Sequence, residues 1–445
     1  MDTNAAGAAM STEVVVLGAG YAGLIATNRF LGSLTEEERA TVHLTVVNPR
    51  EDFVERIRLH QLAAGSRTTV TGPLTTLLHP DARLVRGTAT RICPDRQTVQ
   101  VDTDSGPIVL PWTWLVYAVG SVGAAAIPGA REHAFLIGDL QDAKDAVAAV
   151  KAAGDRPRIL VVGGGFTGVE TASEFGEQHP SADVTLVCAS LVVEGMRSAA
   201  RAAITHRLRQ LRVRLIENMA VLEVENGKAH LADGQIIAFD ACLVATAFDV
   251  PDLAASSGLQ VDQRGRLLVD ETLRSVGDPK ILGAGDAVAV AGAIGPRLRM
   301  ACSVALPMGG HVARVLLGTL RSEPPAPFSM GYSAQCISLG RRRGYIQLVN
   351  ADDSPRRLHI GGAIGAKIKE AVCRRVVEAP VSESEHPGAY TWKEGPASPV
   401  LLVHRRTATQ DPVAAGRQQR RRLGQHTARR LASFAKRPAS TSVSK

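Results

Sequence analysis

The chain has 445 residues, of which 45% are hydrophobic and 21% charged, enough for two or three domains because one core seldom grows beyond about 300 residues. No apolar run approaches the roughly 20 residues that a membrane-spanning helix needs, and the polar start MDTNAAGAAMSTE lacks the features of a signal peptide. The composition therefore argues against an integral membrane protein, and we expect a cytoplasmic one.

The net charge of +8 is concentrated at the C-terminal end. Residues 404–445 contain eleven Arg or Lys against the single acidic residue Asp411, so the preceding 403 residues sum to −2. Because few large apolar residues accompany these charges, we predict a basic, disordered tail over residues 383–445. The alternative is contact of the tail with anionic lipid or nucleic acid, and no aromatic interleaving favours specific nucleic-acid recognition.

Cysteines occur singly along the chain, at Cys93, Cys188, Cys242, Cys302, Cys336 and Cys373. No pair has CxxC or zinc-ligand spacing, so we predict neither a metal site nor a local dithiol. The spacing leaves open that folding brings Cys302 and Cys336 together.

A glycine loop follows the first predicted strand, Val14 to Leu17, in the segment VVVLGAGYAG. Its first glycine permits a tight turn, the second lets the backbone approach a pyrophosphate, and the third lets the following helix pack on the strand. At the end of the next strand, Val42 to Asn48, an asparagine stands where an acidic residue usually binds ribose. The candidate contacts to this dinucleotide are Gly18, Gly20, Tyr21, Ala22, Gly23 and Asn48.

A second unit, ILVVGGGFTG, repeats the strand, glycine loop and helix. Its candidate contacts to a dinucleotide are Gly163, Gly165, Phe166, Thr167 and Gly168. The next predicted strand, Asp183 to Cys188, ends without the carboxylate that would favour NADH, and the nearest arginine is Arg197. The choice between NADH and NADPH therefore stays open.

Three further segments give the chain a family resemblance. LVYAVGS (115–121) and CLVATAF (242–248) resemble the strands at which two-dinucleotide-binding flavoproteins leave and re-enter the FAD domain, and KILGAGDAVAV (280–290) resembles their second FAD signature. The chain thus resembles the pyridine nucleotide-disulfide oxidoreductase superfamily. The resemblance implies FAD and NAD(P)H as cofactors, with Gly120, Gly285 and Asp286 at the FAD. A helix cap is the alternative role for the aspartate.

The resemblance also implies an α/β fold with two Rossmann-like dinucleotide-binding domains. An FAD-binding domain, residues 11–120 and 257–322, is expected to be interrupted by an NAD(P)H-binding domain, residues 121–256. A small α+β C-terminal interface domain is expected over residues 326–382, ahead of the basic tail.

The C-terminal domain is predicted to contain hairpin strands within Met330 to Asn350 and a helix over Ala363 to Ala379. Ile364, Ile368 and Val372 share one face of this helix. We expect this face to pack on the body of the protein, with membrane contact as the alternative.

Within the superfamily, the absence of cysteine between Tyr21 and Pro80 disfavours the thiol relay of glutathione-reductase-type enzymes. GGGFTGVETASEF resembles type II NADH:quinone oxidoreductases and ferroptosis-suppressor-like flavoproteins, which implies that Glu170 is the catalytic residue near nicotinamide and flavin. Stabilisation of a helix N-terminus is its alternative role. Pro307 and Met308 stand where that family has paired glutamines, which predicts a remodelled acceptor pocket and a helix that is kinked or begins there.

Two arginines and two histidines near these motifs are also candidates. Arg56 and Arg58 are expected to contact the flavin phosphates or an acceptor, with surface ion pairs as the alternative. His60 and His311 are interpreted as structural residues rather than proton-transfer groups.

The resemblance implies an FAD-dependent NAD(P)H dehydrogenase that passes hydride from nicotinamide to flavin and then electrons to a quinone-like or other small acceptor. The alternatives are a reductase for a ferredoxin-type partner, a sulfide:quinone-type enzyme using Cys302 and Cys336, and a nucleotide-sensing flavoprotein without turnover. A homodimer, weak contact with anionic membrane through the basic C-terminal region, and a peripheral location on the inner face of the cell membrane are further expectations.

Overall fold

The computed structural model describes residues 11–395. The first half of the first dinucleotide-binding domain alternates strands with short helices and ends in an antiparallel meander. Its elements are β1 (Thr12–Leu17), α1 (Tyr21–Gly32), α2 (Glu36–Arg39), β2 (Val42–Asn48), β3 (Asp52–Val54), α3 (Leu59–Ala63), β4 (Thr71–Pro73), α4 (Leu74–Leu77), β5 (Ala82–Arg86), β6 (Thr88–Cys93), β7 (Thr98–Thr103), β8 (Gly106–Pro111) and β9 (Trp114–Tyr117).

The second dinucleotide-binding domain repeats this plan, including a meander before its last long strand. Its elements are β10 (Val122–Gly123), α5 (Ala130–His133), β11 (Phe135–Leu136), α6 (Leu140–Ala152), β12 (Arg158–Val162), α7 (Phe166–Gln178), β13 (Asp183–Val187), α8 (Ser198–Gln210), β14 (Arg214–Ile216), β15 (Val221–Glu225), β16 (Lys228–Leu231), β17 (Ile236–Ala238), β18 (Ala241–Val244) and β19 (Phe248–Asp249).

The chain then returns to the first domain and continues into a C-terminal α+β unit. The returning elements are α9 (Leu253–Ser256), β20 (Leu267–Val269), β21 (Ile281–Gly283), β22 (Val288–Val290) and α10 (Cys302–Leu320). The C-terminal unit consists of β23 (Ala334–Ser338), β24 (Gly344–Val349), β25 (Pro355–Gly361) and α11 (Gly362–Glu385).

Two parallel five-stranded sheets form the cores of the dinucleotide-binding domains. Their strand orders are β21-β9-β1-β2-β5 and β11-β18-β12-β13-β14, so the two central strands, β1 and β12, each lead directly into a glycine loop. These central strands are short, buried apolar runs, as expected of a parallel sheet covered on both faces. Strands β9 and β21 pair in one sheet although the whole second domain separates them in sequence. The predicted fold class, one Rossmann-like domain interrupted by another, is confirmed.

The crossing between the domains is a two-stranded antiparallel ribbon. Strand β10 leaves the first domain and pairs with β19, which returns to it, through Val122 with Asp249 and Gly123 with Phe248. The segments LVYAVGS and CLVATAF immediately precede these two strands or include their first residue. Motifs at the ribbon are therefore held close to both nucleotide loops.

Helix α11 is longer than predicted and uses a different face. Its buried positions include Gly365, Cys373 and Val376, which pack toward the body, whereas Ile364 is 64% exposed and Val372 is 39% exposed. The expectation that the apolar face packs on the body is therefore wrong, because the neighbouring face, which carries Gly365, Cys373 and Val376, makes those contacts.

The end of α11 and the segment after it are also packed on the body. Glu383 is fully buried beside Arg29, the Trp392 ring nitrogen donates to the Ser329 carbonyl at 2.9 Å, and the Gly331 amide donates to the Lys393 carbonyl at 2.7 Å. The predicted tail therefore does not begin at residue 383. Its remainder, including the Arg-rich stretch, lies outside the described residues. No helix within residues 11–395 is sufficiently long and apolar to cross a bilayer.

Candidate active site

The first glycine loop has the geometry of a dinucleotide cradle. Gly18 has φ +98°, and a Cβ there would lie 2.4 Å from the Ala118 carbonyl oxygen. A Cβ on Gly23 would lie 1.9 Å from the Gly18 oxygen, whereas one on Gly20 would meet nothing within 4 Å. The outer glycines are required by close backbone packing, and the middle one faces open space where a phosphate group can approach.

The second glycine loop reproduces these contacts in the other domain. Gly163 has φ +128°, and a Cβ on Gly168 would lie 1.8 Å from the Gly163 carbonyl oxygen. A Cβ on Gly165 would meet nothing within 4 Å. The middle glycines, Gly20 and Gly165, are the N-caps of α1 and α7 and provide no side-chain cap. Both helices thus begin with backbone N–H groups available to an anion, at residues that include Tyr21, Ala22, Phe166 and Thr167.

The residues that end the second strand of each unit have different roles. Asn48 accepts a hydrogen bond from the Ala19 amide at 3.0 Å and donates to the Arg50 carbonyl at 2.7 Å, so it holds the first loop in place. Cys188 packs directly against Gly164, and burial raises the pKa of its thiol to about 12. A buried neutral thiol provides no charge with which to discriminate a ribose hydroxyl from a ribose phosphate.

The segment with Asp286 converges on the first loop. A Cβ on Gly285 would lie 3.3 Å from the Cβ of Ala22, while Asp286 accepts a hydrogen bond from the Ser121 hydroxyl at 2.7 Å. Burial raises the pKa of Asp286. Gly120, next to that serine, has φ +71° and open space at its Cα. The structure thus brings together the predicted residues at the start of α1, after β9 and after β21.

Arg56 and Arg58 occupy two different environments. Arg56 donates to the Ser121 carbonyl and lies over the Phe248 ring at 5.9 Å, close to the Asp286 group. Arg58 is buried in ion pairs with Glu55 at 2.8 Å and Glu370 at 2.7 Å. The alternative of a surface ion pair is therefore wrong for Arg58, because its guanidinium is buried and ties the first domain to α11.

Glu170 lies at the centre of a buried charged cluster. Its carboxylate accepts hydrogen bonds from the Ser338 amide at 2.9 Å and hydroxyl at 3.2 Å, and it pairs with the Lys369 ammonium at 3.0 Å. The same ammonium donates to the Cys336 carbonyl at 3.3 Å. The cluster therefore joins α7, β23 and α11, three elements that are far apart in sequence.

The charges in this cluster are stabilised by each other. Burial would raise the pKa of Glu170, but Lys369 and the Ser338 N–H outweigh it and the pKa is lowered. Burial would also lower the pKa of Lys369, but the Glu170 charge raises it instead. His60 lies nearby, and burial lowers its pKa to about 4, so it is neutral at pH 7. The cluster holds one carboxylate and one ammonium at neutral pH.

A cavity of about 320 Å³ gives access to this pair. Its lining includes Gln61, Ser66, Ser338, Arg341, Lys369 and Glu370. The cavity thus connects the protonated amine of Lys369 with polar side chains of α3 and the β23–β24 turn.

Buried polar atoms without a hydrogen-bond partner surround the same region of the first domain. They include Tyr21 Oη, His60 Nε2 and Gln61 Nε2. Because buried polar groups are costly when unpaired, these atoms fit a polar ligand lying between the start of α1 and α3. Together with the first glycine loop and Asp286, they fit a dinucleotide such as FAD.

None of the six cysteines, all of which lie in the described residues, is in a disulfide. All six are free, and burial raises the pKa of Cys302 to about 11 and also raises the pKa values of Cys336 and Cys373. Thiols held in the neutral form are poor nucleophiles. Residues 11–395 also contain no group of three or more His, Cys, Asp or Glu side chains that would hold a metal ion.

We predicted that the helix is kinked or begins at Pro307. Helix α10 passes through Pro307, so it does not begin there. Pro307 and Met308 are buried, and a Cβ on the next residue, Gly309, would lie 2.2 Å from the Ala22 carbonyl oxygen. These residues therefore pack α10 tightly on α1. His311 is buried further along the helix, with its Nε2 unpartnered, away from the Glu170 cluster.

Sequence reasoning missed Ser338 and Lys369, which complete the Glu170 cluster. One signal was present, because Gly365, Lys369 and Cys373 recur every four residues, and this spacing places them on one side of a helix. The neighbouring face with Ile364, Ile368 and Val372 is more apolar, and we therefore expected that face to be the buried one.

This arrangement defines a two-nucleotide oxidoreductase, and similarity to known proteins agrees with it. The pyridine nucleotide-disulphide oxidoreductase family matches residues 12–309, so the chain belongs to this family. The expected class, an FAD-dependent oxidoreductase that uses NAD(P)H, is confirmed.

Similar proteins include a type II NADH:quinone oxidoreductase of Staphylococcus aureus, 26% identical over 395 residues that cover 82% of this chain and 95% of the relative. Among solved structures, the sulfide:quinone oxidoreductase of Aquifex aeolicus has a TM-score of 0.72 at 18% identity, covering 85% of this chain and 93% of that one. The structure of NDH2 of Plasmodium falciparum with NADH has a TM-score of 0.71 at 13% identity. The match covers 84% of this chain and 98% of that one. These structures share the fold.

Proposed function

We propose that this oxidoreductase delivers the electrons of NAD(P)H to a quinone. The observation that carries the proposal is the buried Glu170–Lys369 pair at the first turns of α7, beside the second glycine loop and beneath the 320 Å³ cavity. A quinone must gain two protons together with two electrons, and Lys369 is a buried proton donor at neutral pH. The type II NADH:quinone oxidoreductase relative supports the same acceptor.

The cofactor contacts are proposed from the two cradles. FAD, when bound, supplies the two-electron chemistry that links nicotinamide to acceptor. The residues proposed to hold it are Gly18, Gly20, Tyr21, Ala22, Gly23, Asn48, Arg56, Gly120, Gly285 and Asp286. Those proposed to hold NAD(P)H are Gly163, Gly165, Phe166, Thr167 and Gly168.

Glu170 and Lys369 divide the proton chemistry between them. Glu170 stays ionised because Lys369 and the Ser338 N–H stabilise the carboxylate, and it thereby keeps Lys369 protonated despite burial. Because the Glu170 charge raises its pKa, the ammonium stays charged at neutral pH and releases its proton only to an acceptor oxygen that has become strongly basic on reduction. Ser66 and Gln61 in the cavity lining supply polar groups along the approach. General acid catalysis of this kind contributes roughly 10²–10⁴-fold to rate.

Anaerobic half-reactions test the proposal. The purified holoprotein is reduced with NADH or NADPH while flavin absorbance is followed, and it is then reoxidised with a quinone panel, ferredoxin or oxygen. Rapid reoxidation by quinone supports the proposal. Reoxidation by ferredoxin alone contradicts it, and a flavin that is never reoxidised indicates a nucleotide sensor.

A pair of lysine variants tests the role of the buried amine. Lys369→Met is expected to slow quinone reoxidation about 10²-fold while leaving reduction by nicotinamide within a few-fold. Lys151→Met removes an exposed lysine of the second domain and serves as the control. Equal rates in the two variants would remove Lys369 from the proposed site.

We also propose a peripheral membrane contact at the C-terminal unit. Leu358, Ile364 and Val372 are exposed, and the cations Arg357 and Lys367 lie beside them in sequence. Co-sedimentation with anionic vesicles is expected to fall in Ile364→Ser/Val372→Ser, and unchanged sedimentation would reject this surface. The expected homodimer is tested on the same preparation by analytical ultracentrifugation.

A further inference from the structure

A basic cavity lies at the opposite end of α7 from the second glycine loop. Its volume is about 650 Å³, and its lining includes Glu177, Arg207, Arg212, Arg342, Arg343 and Ala363. From Phe166 to Glu177 the helix rises roughly 16 Å, so this cavity is separate from the glycine loop. Three elements converge on it: the end of α8, the β23–β24 turn and the start of α11.

Charge in this cavity is strongly unbalanced. Four arginines face one carboxylate, Glu177, which already accepts hydrogen bonds from Arg207 Nη2 at 2.8 Å and from the backbone amides of Arg341 and Arg342. Within residues 11–395, the ion pairs include no carboxylate partner for Arg212, Arg342 or Arg343. The carboxyl ends of α7 and α8 offset part of this charge, but the turn arginines remain in excess.

The arginines are close enough to influence one another. Burial lowers the pKa of Arg207, and the neighbouring charges of Arg343 and Arg342 lower it further, although Glu177 opposes them. Like charges brought together around an open volume create a field that favours an anion. The Arg207 Nε also donates to the Leu339 carbonyl at 3.2 Å, which anchors that guanidinium at the edge of the turn.

The start of α11 borders the same cavity. Ala363, in the first turn, lines it, and the N-cap Gly361 provides no side-chain cap. The first turn of a 24-residue helix therefore lies at the volume that the arginines surround, and the positive end of its dipole adds to their field.

We propose that this cavity binds a phosphate-bearing anion. Guanidinium forks form paired charge-assisted hydrogen bonds with phosphate oxygens, and uncapped helix N–H groups complete that recognition. The volume exceeds that of inorganic phosphate, so it has room for the organic part of a phosphate ester. A soluble phosphate compound and a phospholipid headgroup share this chemistry.

Calorimetric titration of the FAD-loaded protein with inorganic pyrophosphate, in the presence of saturating NAD⁺, tests the site. Arg342→Gln/Arg343→Gln is expected to weaken binding about tenfold or more, because two charge-assisted contacts are lost. Arg91→Gln/Arg96→Gln, which removes two exposed arginines of the first domain, serves as the charge-matched control. Glu177→Gln should tighten binding, since it removes the competing carboxylate.

Vesicles containing phosphatidylglycerol or only phosphatidylcholine distinguish the source of the phosphate. Binding of pyrophosphate without a headgroup-dependent difference indicates a soluble ligand, and selective loss of phosphatidylglycerol binding in Arg342→Gln/Arg343→Gln indicates a lipid. Both results support the cavity. If neither probe binds, or if the two double variants weaken binding equally, the cavity is not an anion site.

Discussion

Helices α1 and α7 both begin at a glycine loop of the same construction, yet they enter different surroundings. Most of α1 is buried against apolar neighbours, and its one buried cation, Arg29, pairs with Glu383 at 2.6 Å. Helix α7 instead presents three carboxylates along its length: Glu170 and Glu174 pair with Lys369 and Arg341 of the C-terminal unit, and Glu177 pairs with Arg207 of α8. We propose that each loop positions a nucleotide in its own domain. The charged groups packed on the following helix determine the further role of that helix.

The difference depends on α11, which reaches both helices. Lys369 near its start pairs with α7, and Glu383 near its end pairs with α1. A single C-terminal helix therefore supplies the proposed proton donor on one side and a structural ion pair on the other. The two loops are alike because close backbone contacts within each loop determine its conformation. The two helices differ because α11 presents Lys369 to α7 and Glu383 to α1.

The largest expected effect is the loss of nucleotide binding when the third glycine of either glycine loop is replaced by alanine. Gly168→Ala places a Cβ 1.8 Å from the Gly163 oxygen, so it should displace the loop and reduce flavin reduction by nicotinamide by at least about 10²-fold with flavin retained. Gly23→Ala should instead reduce flavin retention, because the equivalent distance in the first loop is 1.9 Å. Stopped-flow reduction and the flavin-to-protein absorbance ratio measure the two effects.

Gly20→Ala and Gly165→Ala are the matched controls, since a Cβ at either position meets nothing within 4 Å. They should fold normally and weaken only the dinucleotide of their own domain. If all four variants lose the same cofactor, the two loops do not serve separate nucleotides.

The next largest effect tests the structural role assigned to α1. Arg29→Met leaves the carboxylate of Glu383 buried without its cation, although the Gly388 and Tyr390 amides still donate to it. Breaking a buried pair in this way costs about 3–5 kcal/mol of unfolding free energy. Urea denaturation followed by circular dichroism measures it, and a loss below about 1 kcal/mol would show that the pair contributes no more than an exposed one.

The functional role assigned to α7 has a pH signature. In Glu170→Gln the burial that lowers the pKa of Lys369 is no longer opposed by a carboxylate, so that pKa should fall from its raised value. Quinone reduction should then decline as pH rises through the lowered pKa, by up to about 10²-fold, whereas the wild type stays level over the same range.

Glu174→Gln provides the control on the same helix, because Glu174 is buried but pairs with Arg341 rather than Lys369. Its pH profile should follow the wild type. A decline of the same shape in both variants would point to general disturbance of α7.

The smallest expected effect is on the free energy of unfolding at acid pH. It involves His311 in α10, the helix that packs on α1. Burial lowers the pKa of His311 to about 4, below its ordinary value near 6.5, so the unfolded chain takes up this proton first as pH falls. The stabilisation is complete above pH 6.5 and is lost toward pH 4, amounting to about 2 kcal/mol between pH 7 and pH 5. His311→Gln should show a correspondingly flatter pH dependence in urea titrations, and an unchanged slope would contradict burial of the neutral ring.

Parts of the candidate site with a local origin could be predicted from the sequence. The positions of Gly18, Gly23, Gly163 and Gly168 follow from a strand running into a helix within about ten residues, and Asp286 follows directly after a buried strand. Arg58 could not be placed, because its partner Glu370 lies more than 300 residues away. The face of α11 was misjudged because apolar periodicity marks a helix but does not say which side its neighbours cover.

The sequence by itself determined the two dinucleotide cradles, the interrupted domain order and the membership of a flavin-dependent oxidoreductase class. Tertiary structure decided that Glu170 pairs with Lys369, that Glu383 pairs with Arg29 and that four arginines surround one cavity. The physical reason is the separation in sequence between the residues that interact. A glycine turn is determined by steric contacts among residues close in sequence, whereas a buried charge depends on partners that only the folded chain brings within hydrogen-bonding distance.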